Sequence, residues 1–135
     1  DSFFEREFLV SNISIIKKYQ KNNPDIITDS NQLKQVLLNI INNASDAISP
    51  PGKITITTAS DNQFIIISIS DTGKGIREED IGHIFVPFFT TKDVGKGTGL
   101  GLSVSYGIIK NLGGNIEVES IFKKGTTFTI KLPYK

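Results

Sequence analysis

The chain has 135 residues, of which 38% are hydrophobic and 21% charged, and this is typical of one soluble globular domain with its own core. Its formal net charge of +1 gives no electrostatic argument for binding nucleic acid or an anionic membrane. The absence of cysteine excludes disulfides and thiolate metal sites, and no apolar run reaches the roughly 20 residues of a membrane-spanning helix.

The first half of the chain predicts a strand, one long helix and a β-hairpin. Residues 12–20 have the composition of a strand, whereas residues 1–11 fit either a short helix or a linker stub. From residue 30 to 48, apolar side chains recur with a helical period over about five turns. The β-branched runs KITITTA and QFIIISIS then predict two strands joined by a turn, and the second is apolar on both faces, which indicates a central strand.

The second half predicts two more helices and a second hairpin. REEDIGHIF, residues 77–85, has the pattern of a short helix with an acidic start, and a glycine-rich loop follows it. The segment LGLSVSYGIIKNLGG predicts a helix that two glycines end. NIEVESI and TTFTIKL predict the strands of the second hairpin. Strands interleaved with three helices predict an α/β fold, a two-layer sandwich with the helices on one face of a mixed, mostly antiparallel sheet.

A stripe of polar side chains runs along one face of the long helix. At 100° per residue, it contains Gln32, Gln35, Asn39, Asn43 and Asp46. Asparagine is a mediocre helix former, so its repeated use needs a reason. One explanation is a surface stripe kept for solubility. The other is the wall of a ligand site, because amide oxygens suit a hard cation such as Mg²⁺ that takes its other ligands from a polyphosphate.

Asp71 ends the central strand and is followed by two glycines one residue apart. A carboxylate in an apolar neighbourhood is costly unless a group donates to it, and the exocyclic amino group of adenine is a fitting donor. Guanine has a carbonyl at that position and would be repelled. Gly73 and Gly75 would let the backbone approach a flat ring, although an ordinary aspartate-initiated turn explains the same residues.

The loop at 86–102 has glycine at positions 95, 97, 99 and 101 and then begins a helix. Successive backbone N–H groups and a helix N-terminus make an anion site, and Lys92 and Lys96 could neutralise phosphates. The loop matches neither the Walker A motif nor G-x-G-x-x-G. A plain surface loop is the alternative, but Phe85, Phe88 and Phe89 at its base are apolar anchors that such a loop would not need.

Five segments in order resemble the ATP-binding catalytic domain of sensor histidine kinases, in the superfamily of the gyrase, mismatch-repair and heat-shock chaperone ATPases. NQLKQVLLNIINNASDAI is similar to the asparagine box, and DTGKGI to the first glycine box. IFVPFFTTK resembles the phenylalanine box, GKGTGLGLS the second glycine box, and GTTFTIKLP the terminal glycine-threonine segment. The resemblance covers residues 12–133 and implies the Bergerat-type ATP-binding fold.

The resemblance also implies a site for ATP and Mg²⁺. Asn43 would be the magnesium ligand and Asn39 would line the phosphate end, as the two catalytic residues. Asp71 would hold adenine N6, supported through water by Thr126, and a lid from Phe85 to Gly101 would close over the triphosphate. The other implied nucleotide contacts are Asp46, Gly73, Gly75, Ile76, Phe85, Thr91, Lys92, Gly97, Thr98, Gly99, Leu100, Gly101 and Leu102.

Two positions depart from patterns in the superfamily. Its ATP-hydrolysing members have a glutamate where this chain has Asn39. Because an amide cannot accept the proton of water, we expect slow hydrolysis and a phosphoryl group kept for another acceptor. Many sensor kinases have a lysine where this chain has Asp46, whose role stays open between a hydrogen bond near the nucleotide and a surface charge.

Phosphoryl transfer to histidine also needs an acceptor imidazole. The chain has one histidine, His83, which lies between two binding segments rather than on a long helix, so we interpret it as a structural or surface residue. We therefore expect the acceptor on an absent upstream dimerisation domain. Residues 1–11 would be the linker to it, or a short helix, and residues 12–135 the catalytic domain.

The predicted function is that of the catalytic domain of a two-component sensor histidine kinase. It would bind ATP, release ADP and phosphorylate the dimerisation domain of the same full-length protein, which would serve a response regulator receiver domain. A serine-directed kinase of the anti-sigma type, an ATP-hydrolysing conformational switch and a regulatory nucleotide binder stay open as alternatives. We expect a cytoplasmic domain without nucleic-acid or direct membrane contact, even where the full-length protein is membrane-anchored.

Overall fold

The computed structural model describes residues 13–19, 30–87, 89 and 101–133, which form three helices and five strands. Residues 1–11, predicted as a linker or short helix, lie outside these ranges. In chain order the elements are β1 (Ile13–Lys18), α1 (Ser30–Ala47), β2 (Gly52–Ser60), β3 (Phe64–Asp71), α2 (Glu78–Ile81), α3 (Gly101–Asn111), β4 (Asn115–Ile121) and β5 (Gly125–Pro133).

The five strands form one sheet in the order β1-β2-β3-β5-β4. Among the strands that the described residues form, β1 and β2 pair in parallel and the other three pairs are antiparallel. This confirms the predicted mixed, mostly antiparallel sheet. β3 lies between β2 and β5, at the centre of the sheet, as its apolar character on both faces predicted. Asp71, its last residue, therefore has a neighbouring strand on each side.

The core lies between this sheet and the two long helices. α1 buries Val36, Ile40, Ile41 and Ala44, which recur with the helical period that the sequence showed. On the sheet, alternate residues of β5 are buried, from Thr126 to Leu132. α1 and α3 contact each other and the sheet, so the helical layer has two long members. No helix within the described residues is long and apolar enough to cross a membrane.

The predicted helix at 77–85 is shorter than expected, since α2 contains only Glu78–Ile81 and turns follow it. Gly82 directly follows the helix, and glycine is a poor helix residue. At the other end, the side chain of Arg77 provides no capping hydrogen bond. None of the four helical residues is buried, so tertiary packing does not extend the helix either. α2 contacts β4 near the end of the sheet.

The glycine pair does end α3, as predicted. Gly113 has a φ of +83° and the N–H of Gly114 donates to the carbonyl oxygen of Ile109 at 2.9 Å. This is the left-handed residue and the long hydrogen bond of a Schellman motif. It turns the chain into β4, next to β5.

The turn between β4 and β5 gives a first prediction, because Lys123 has a left-handed φ of +72°. This conformation costs a residue with a Cβ about 1 kcal/mol relative to glycine. We expect Lys123→Gly to raise the free energy of unfolding by about 0.5–1 kcal/mol in a urea titration. Lys124→Gly, at a neighbour without a positive φ, should lower it, and equal effects of the two substitutions would contradict the prediction.

Candidate functional site

Asp71 is a nearly buried carboxylate with an exposed fraction of 6%. The backbone N–H of Gly73 donates to its Oδ1 at 2.8 Å, and the backbone N–H of Thr126 on β5 donates as well. Burial nevertheless dominates and raises the pKa of this carboxyl above its ordinary value. A carboxylate has about four acceptor positions, so two donors leave capacity for a ligand that brings an N–H group.

The loop after Asp71 is clamped between α1 and the β4–β5 turn. The N–H of Lys74 donates to the carbonyl oxygen of Ala47, the last residue of α1, at 2.8 Å. The carbonyl oxygen of Lys74 accepts from the N–H of Lys123. This loop, residues 72–77, therefore has a fixed path past the C-terminal end of α1.

Gly73 and Gly75 are required by contacts inside the protein. A Cβ on Gly73 would come within 2.5 Å of the carbonyl oxygen of Ala47. Gly75 has a φ of +70°, and a Cβ there would overlap the carbonyl oxygen of Ile121. Close packing against two backbone segments thus explains both glycines. Their approach to a flat ring stays a prediction.

The β4–β5 hairpin contributes two residues that the sequence analysis did not single out. The Oγ of Ser120 accepts from the N–H of Ile76 at 2.7 Å and lies 2.8 Å from Thr126 Oγ1. Gly125 has a φ of +145°, and a Cβ there would overlap the carbonyl oxygen of Asp71. For Ser120 a signal was present: alternation in NIEVESI puts this hydroxyl on the same face as Ile116.

The predicted phosphate end lies where α1 meets the start of α3. The side-chain amide of Asn39 donates to the carbonyl oxygen of Gly101 and to Ser105 Oγ, both at 3.2 Å. Ser105, which is fully buried, also donates to the carbonyl oxygen of Gly101 at 2.8 Å. Leu102 packs partly buried against the core. Asn39 therefore holds the first turn of α3 at a fixed position beside α1.

The asparagines connect the two ends of the site along α1. Asn39, Asn43 and Ala47 are four residues apart and share one face. At 1.5 Å per residue, about 12 Å separates Asn39, at the start of α3, from Ala47, at the loop after Asp71. Asn43 lies halfway and is half-buried, whereas Asp46 is exposed. The helix thus presents an amide between the buried carboxylate and the first turn of α3.

Aromatic residues at the start of the predicted lid pack against α3 and β5. The ring of Phe85 lies 5.1 Å from Tyr106 on α3 and 6.3 Å from the buried Phe128 on β5. Phe89 also packs against the core, in agreement with its predicted role as an anchor. His83 is exposed in the turn after α2, with its ring 5.8 Å from that of Phe89.

The structure brings together most of the predicted contacts that it describes: Asp71, Gly73, Gly75, Ile76 and Thr126 at one end, and Asn39, Gly101 and Leu102 at the other. The centre of the predicted lid lies outside the described residues. This applies to the predicted contacts Thr91, Lys92, Gly97, Thr98, Gly99 and Leu100, and to the anchor Phe88.

Comparison with known proteins assigns the family. The family model described as histidine kinase-, DNA gyrase B-, and HSP90-like ATPase matches residues 28–135. The sensor histidine kinase ZraS of Escherichia coli strain K12 is 46% identical over 110 residues, which are 82% of this chain and 23% of ZraS. Sporulation kinase A of Bacillus subtilis strain 168 is 40% identical over 134 residues, 99% of this chain and 22% of that kinase. The chain therefore spans less than a quarter of these two relatives.

Solved structures give the same assignment. The nucleotide-free catalytic domain of histidine kinase ThkA superposes with a TM-score of 0.87 at 35% identity, covering 98% of this chain and 88% of that domain. ThkA in complex with the response regulator TrrA matches with a TM-score of 0.83 at 32% identity, over 99% of this chain and 38% of ThkA. The chain therefore belongs to the histidine kinase-, DNA gyrase B- and HSP90-like ATPase family, and it is an ATP-binding catalytic domain of the sensor histidine kinase type.

Proposed function

We propose that this domain binds Mg-ATP and transfers the γ-phosphoryl group to a histidine on a dimerisation domain of its full-length protein. The observation that carries the proposal is the nearly buried carboxylate of Asp71, which keeps acceptor capacity beside two backbone donors. Such a group fits the 6-amino group of adenine and opposes the carbonyl of guanine. Adenine would lie between Asp71, Ile76 and Thr126, over the loop that Gly73 and Gly75 shape.

The phosphates would extend from there along the polar face of α1 towards α3. The helix N-terminus at Gly101 favours negative charge, and its N–H groups lack partners within the helix. Lys92 and the predicted glycine-rich lid precede this end of α3 in the chain. ATP supplies the phosphoryl group, and the residues of this chain bind it, orient it and limit the access of water.

The amide of Asn39 supports transfer to a protein acceptor over hydrolysis. Its NH₂ group donates to α3, and an amide has no basic site that could take a proton from water. The site thus holds a nucleotide without a general base at this position. Neutral imidazole is already a competent nucleophile and needs little activation.

We propose that His83 is not the acceptor and that the acceptor lies on an upstream dimerisation domain, to which residues 1–11 would lead as a linker or a short helix. His83 follows a four-residue helix and its backbone N–H donates to the carbonyl oxygen of Asp80 at 2.9 Å. Since ThkA forms a complex with the response regulator TrrA, we propose that a response regulator receives the phosphoryl group in this system too.

The proposed reaction can be tested with γ-labelled ATP and the isolated dimerisation domain from the same full-length protein. We expect label on that domain that is lost in acid, as a phosphohistidine is. An acid-stable label would instead indicate a serine-directed kinase. Release of inorganic phosphate with no protein label would indicate a hydrolysing switch, and either result would overturn the proposal.

A magnesium ligand on α1 gives a further prediction. Asn43 is half-buried on the face shared with Asn39, whereas the amide of its neighbour Asn42 is exposed. We expect Asn43→Ala to raise the Mg²⁺ concentration needed for ATP binding about tenfold or more, because one ligand is lost. Asn42→Ala makes the same change in helix propensity and should not affect the titration. Coincident magnesium titrations of the two variants would exclude Asn43 as a ligand.

A further inference from the structure

The side chain of Ser120 is the centre of a small hydrogen-bond network below the predicted adenine position. Its Oγ accepts from the N–H of Ile76 at 2.7 Å, donates to the carbonyl oxygen of Gly125 at 3.0 Å, and lies 2.8 Å from Thr126 Oγ1. One hydroxyl thus joins the loop after Asp71, the end of β4 and the start of β5.

The number of hydroxyl protons in this network determines which group donates in each hydrogen bond. Ser120 has a single hydroxyl proton, and the carbonyl oxygen of Gly125 can only accept one. While Ser120 gives this proton to Gly125, its two lone pairs can accept from the N–H of Ile76 and from the hydroxyl of Thr126, so that in this arrangement Thr126 is the donor between the two hydroxyl groups. The hydroxyl proton of Thr126 therefore points at Ser120, and the remaining lone pairs of Thr126 point elsewhere.

Thr126 lies directly opposite Asp71 in the pairing of β3 with β5. Side chains of directly opposed residues lie on the same face of a sheet, a short distance apart. Both are nearly buried, and the backbone N–H of Thr126 donates to the Asp71 carboxylate. With its proton engaged by Ser120, the Thr126 hydroxyl adds a second acceptor beside that carboxylate.

We propose that Ser120 is a positioning residue for purine selection: it orients the Thr126 hydroxyl so that the site presents two neighbouring acceptors. This inference rests on the proposed binding of ATP. A 6-amino group has two protons and matches two acceptors, directly or through a water molecule. A purine with hydrogen at position 6 gains nothing from them. Ser120 therefore acts on the recognition of the amino group, without touching the nucleotide.

The test compares the affinities of ATP and purine riboside triphosphate, which lacks the 6-amino group, by calorimetry on the 135-residue chain. In Ser120→Ala the hydroxyl of Thr126 loses its acceptor and can turn its proton towards the ligand. We expect ATP affinity to fall about tenfold, a typical effect of one hydrogen bond, and affinity for the purine analogue to fall much less. The ratio of the ATP affinity to the purine-analogue affinity should therefore fall towards one.

Three companion variants separate orientation from a merely structural effect. Ser120→Thr keeps the hydroxyl and should have the same ratio of ATP affinity to purine-analogue affinity as the unmodified chain. Ser120→Cys nearly keeps the volume of the side chain but weakens the acceptor. It should therefore lower the ratio of ATP affinity to purine-analogue affinity even where the alanine variant does not fold. Ser68→Ala removes a hydroxyl that faces Thr129, outside the network, and should leave both affinities unchanged.

The outcomes distinguish this inference from the function on which it rests. The inference is supported if the ratio of ATP affinity to purine-analogue affinity falls in the alanine or cysteine variant and keeps its original value in the threonine variant. An equal loss for both nucleotides, or no loss at all, overturns it, because Ser120 would then only hold Ile76 and the hairpin in place. If the unmodified chain binds neither nucleotide, the proposed function itself is wrong.

Discussion

Asp71→Asn should weaken ATP binding about 100-fold or more while the apo domain stays at least as stable. The amide keeps one oxygen that can accept from the backbone N–H groups of Gly73 and Thr126, but it places an NH₂ donor where the adenine amino group needs an acceptor. Loss of a charged hydrogen bond and the new repulsion together account for this size. The preference for ATP over GTP should fall as well, because the amide can donate to the guanine carbonyl. Calorimetry with both nucleotides measures these effects.

The stability part of this prediction follows from the raised pKa of Asp71. A raised folded-state pKa means that the folded protein holds the proton more tightly than the unfolded chain. The resulting stabilisation is fully present below the unfolded-state pKa and is lost as the pH rises through the folded-state pKa. At neutral pH the buried charge is therefore a cost, and the asparagine variant removes it.

Asp61 provides a control of opposite sign. It is exposed in the turn between β2 and β3, and the N–H groups of Gln63 and Phe64 lower its pKa. Its contribution to stability is present above the unfolded-state pKa and is lost as the pH falls through the folded-state pKa. Asp61→Asn should thus reduce stability at neutral pH without altering ATP affinity. If Asp71→Asn kept its ATP affinity, the assignment of adenine recognition to this carboxylate would be wrong.

The same carboxylate predicts how ATP affinity depends on pH. A protonated Asp71 donates and cannot accept from the 6-amino group, so affinity should decline as the pH falls through the raised pKa. The decline should begin at a higher pH than for an ordinary carboxyl. Because ATP favours the charged form, binding in that range should release a proton, which calorimetry in two buffers of different ionisation enthalpy detects.

Gly125→Ala should cost about 2–4 kcal/mol of unfolding free energy, the largest stability effect we expect at this site. The residue has a φ of +145°, and a Cβ would overlap the carbonyl oxygen of Asp71. This neighbour is backbone in the central strand and cannot rotate away. The start of β5 would have to move, and ATP affinity should fall with it because Thr126 is the next residue.

Gly107→Ala is the matched control for the glycine prediction. Gly107 lies inside α3, and beyond the backbone of its own helix and its chain neighbours a Cβ there would have no atom of the described residues within 4 Å. Alanine is the better helix former, so this variant should gain about 0.5–1 kcal/mol. Urea titrations of the two variants should therefore change in opposite directions. A stable Gly125→Ala variant with full ATP affinity would show that β3 and β5 tolerate a wider separation.

Much of the fold could be predicted because it depends on local periodicity. The spacing of Val36, Ile40 and Ala44 determined which face of α1 is buried, and the glycines after Asn111 determined where α3 ends. The run of apolar residues in β3 indicated that this strand lies at the centre of the sheet. The helix predicted at 77–85 is present but covers only residues 78–81, because its length depends on burial that these residues do not receive.

The candidate site also has one part that the sequence predicted and another that only the structure shows. Asp71 and the asparagines of α1 were visible in the sequence, since a carboxylate at the end of an apolar strand and amides inside a helix are locally unfavourable and need partners. The contacts of Asn39 with α3, of Ser120 with Ile76, and of Gly125 with Asp71 join residues that are 62, 44 and 54 positions apart. Composition and spacing determined which groups are available for binding. Only the packing of strands and helices decided which of these groups meet, because hydrogen bonds and close contacts depend on distances that periodicity does not set.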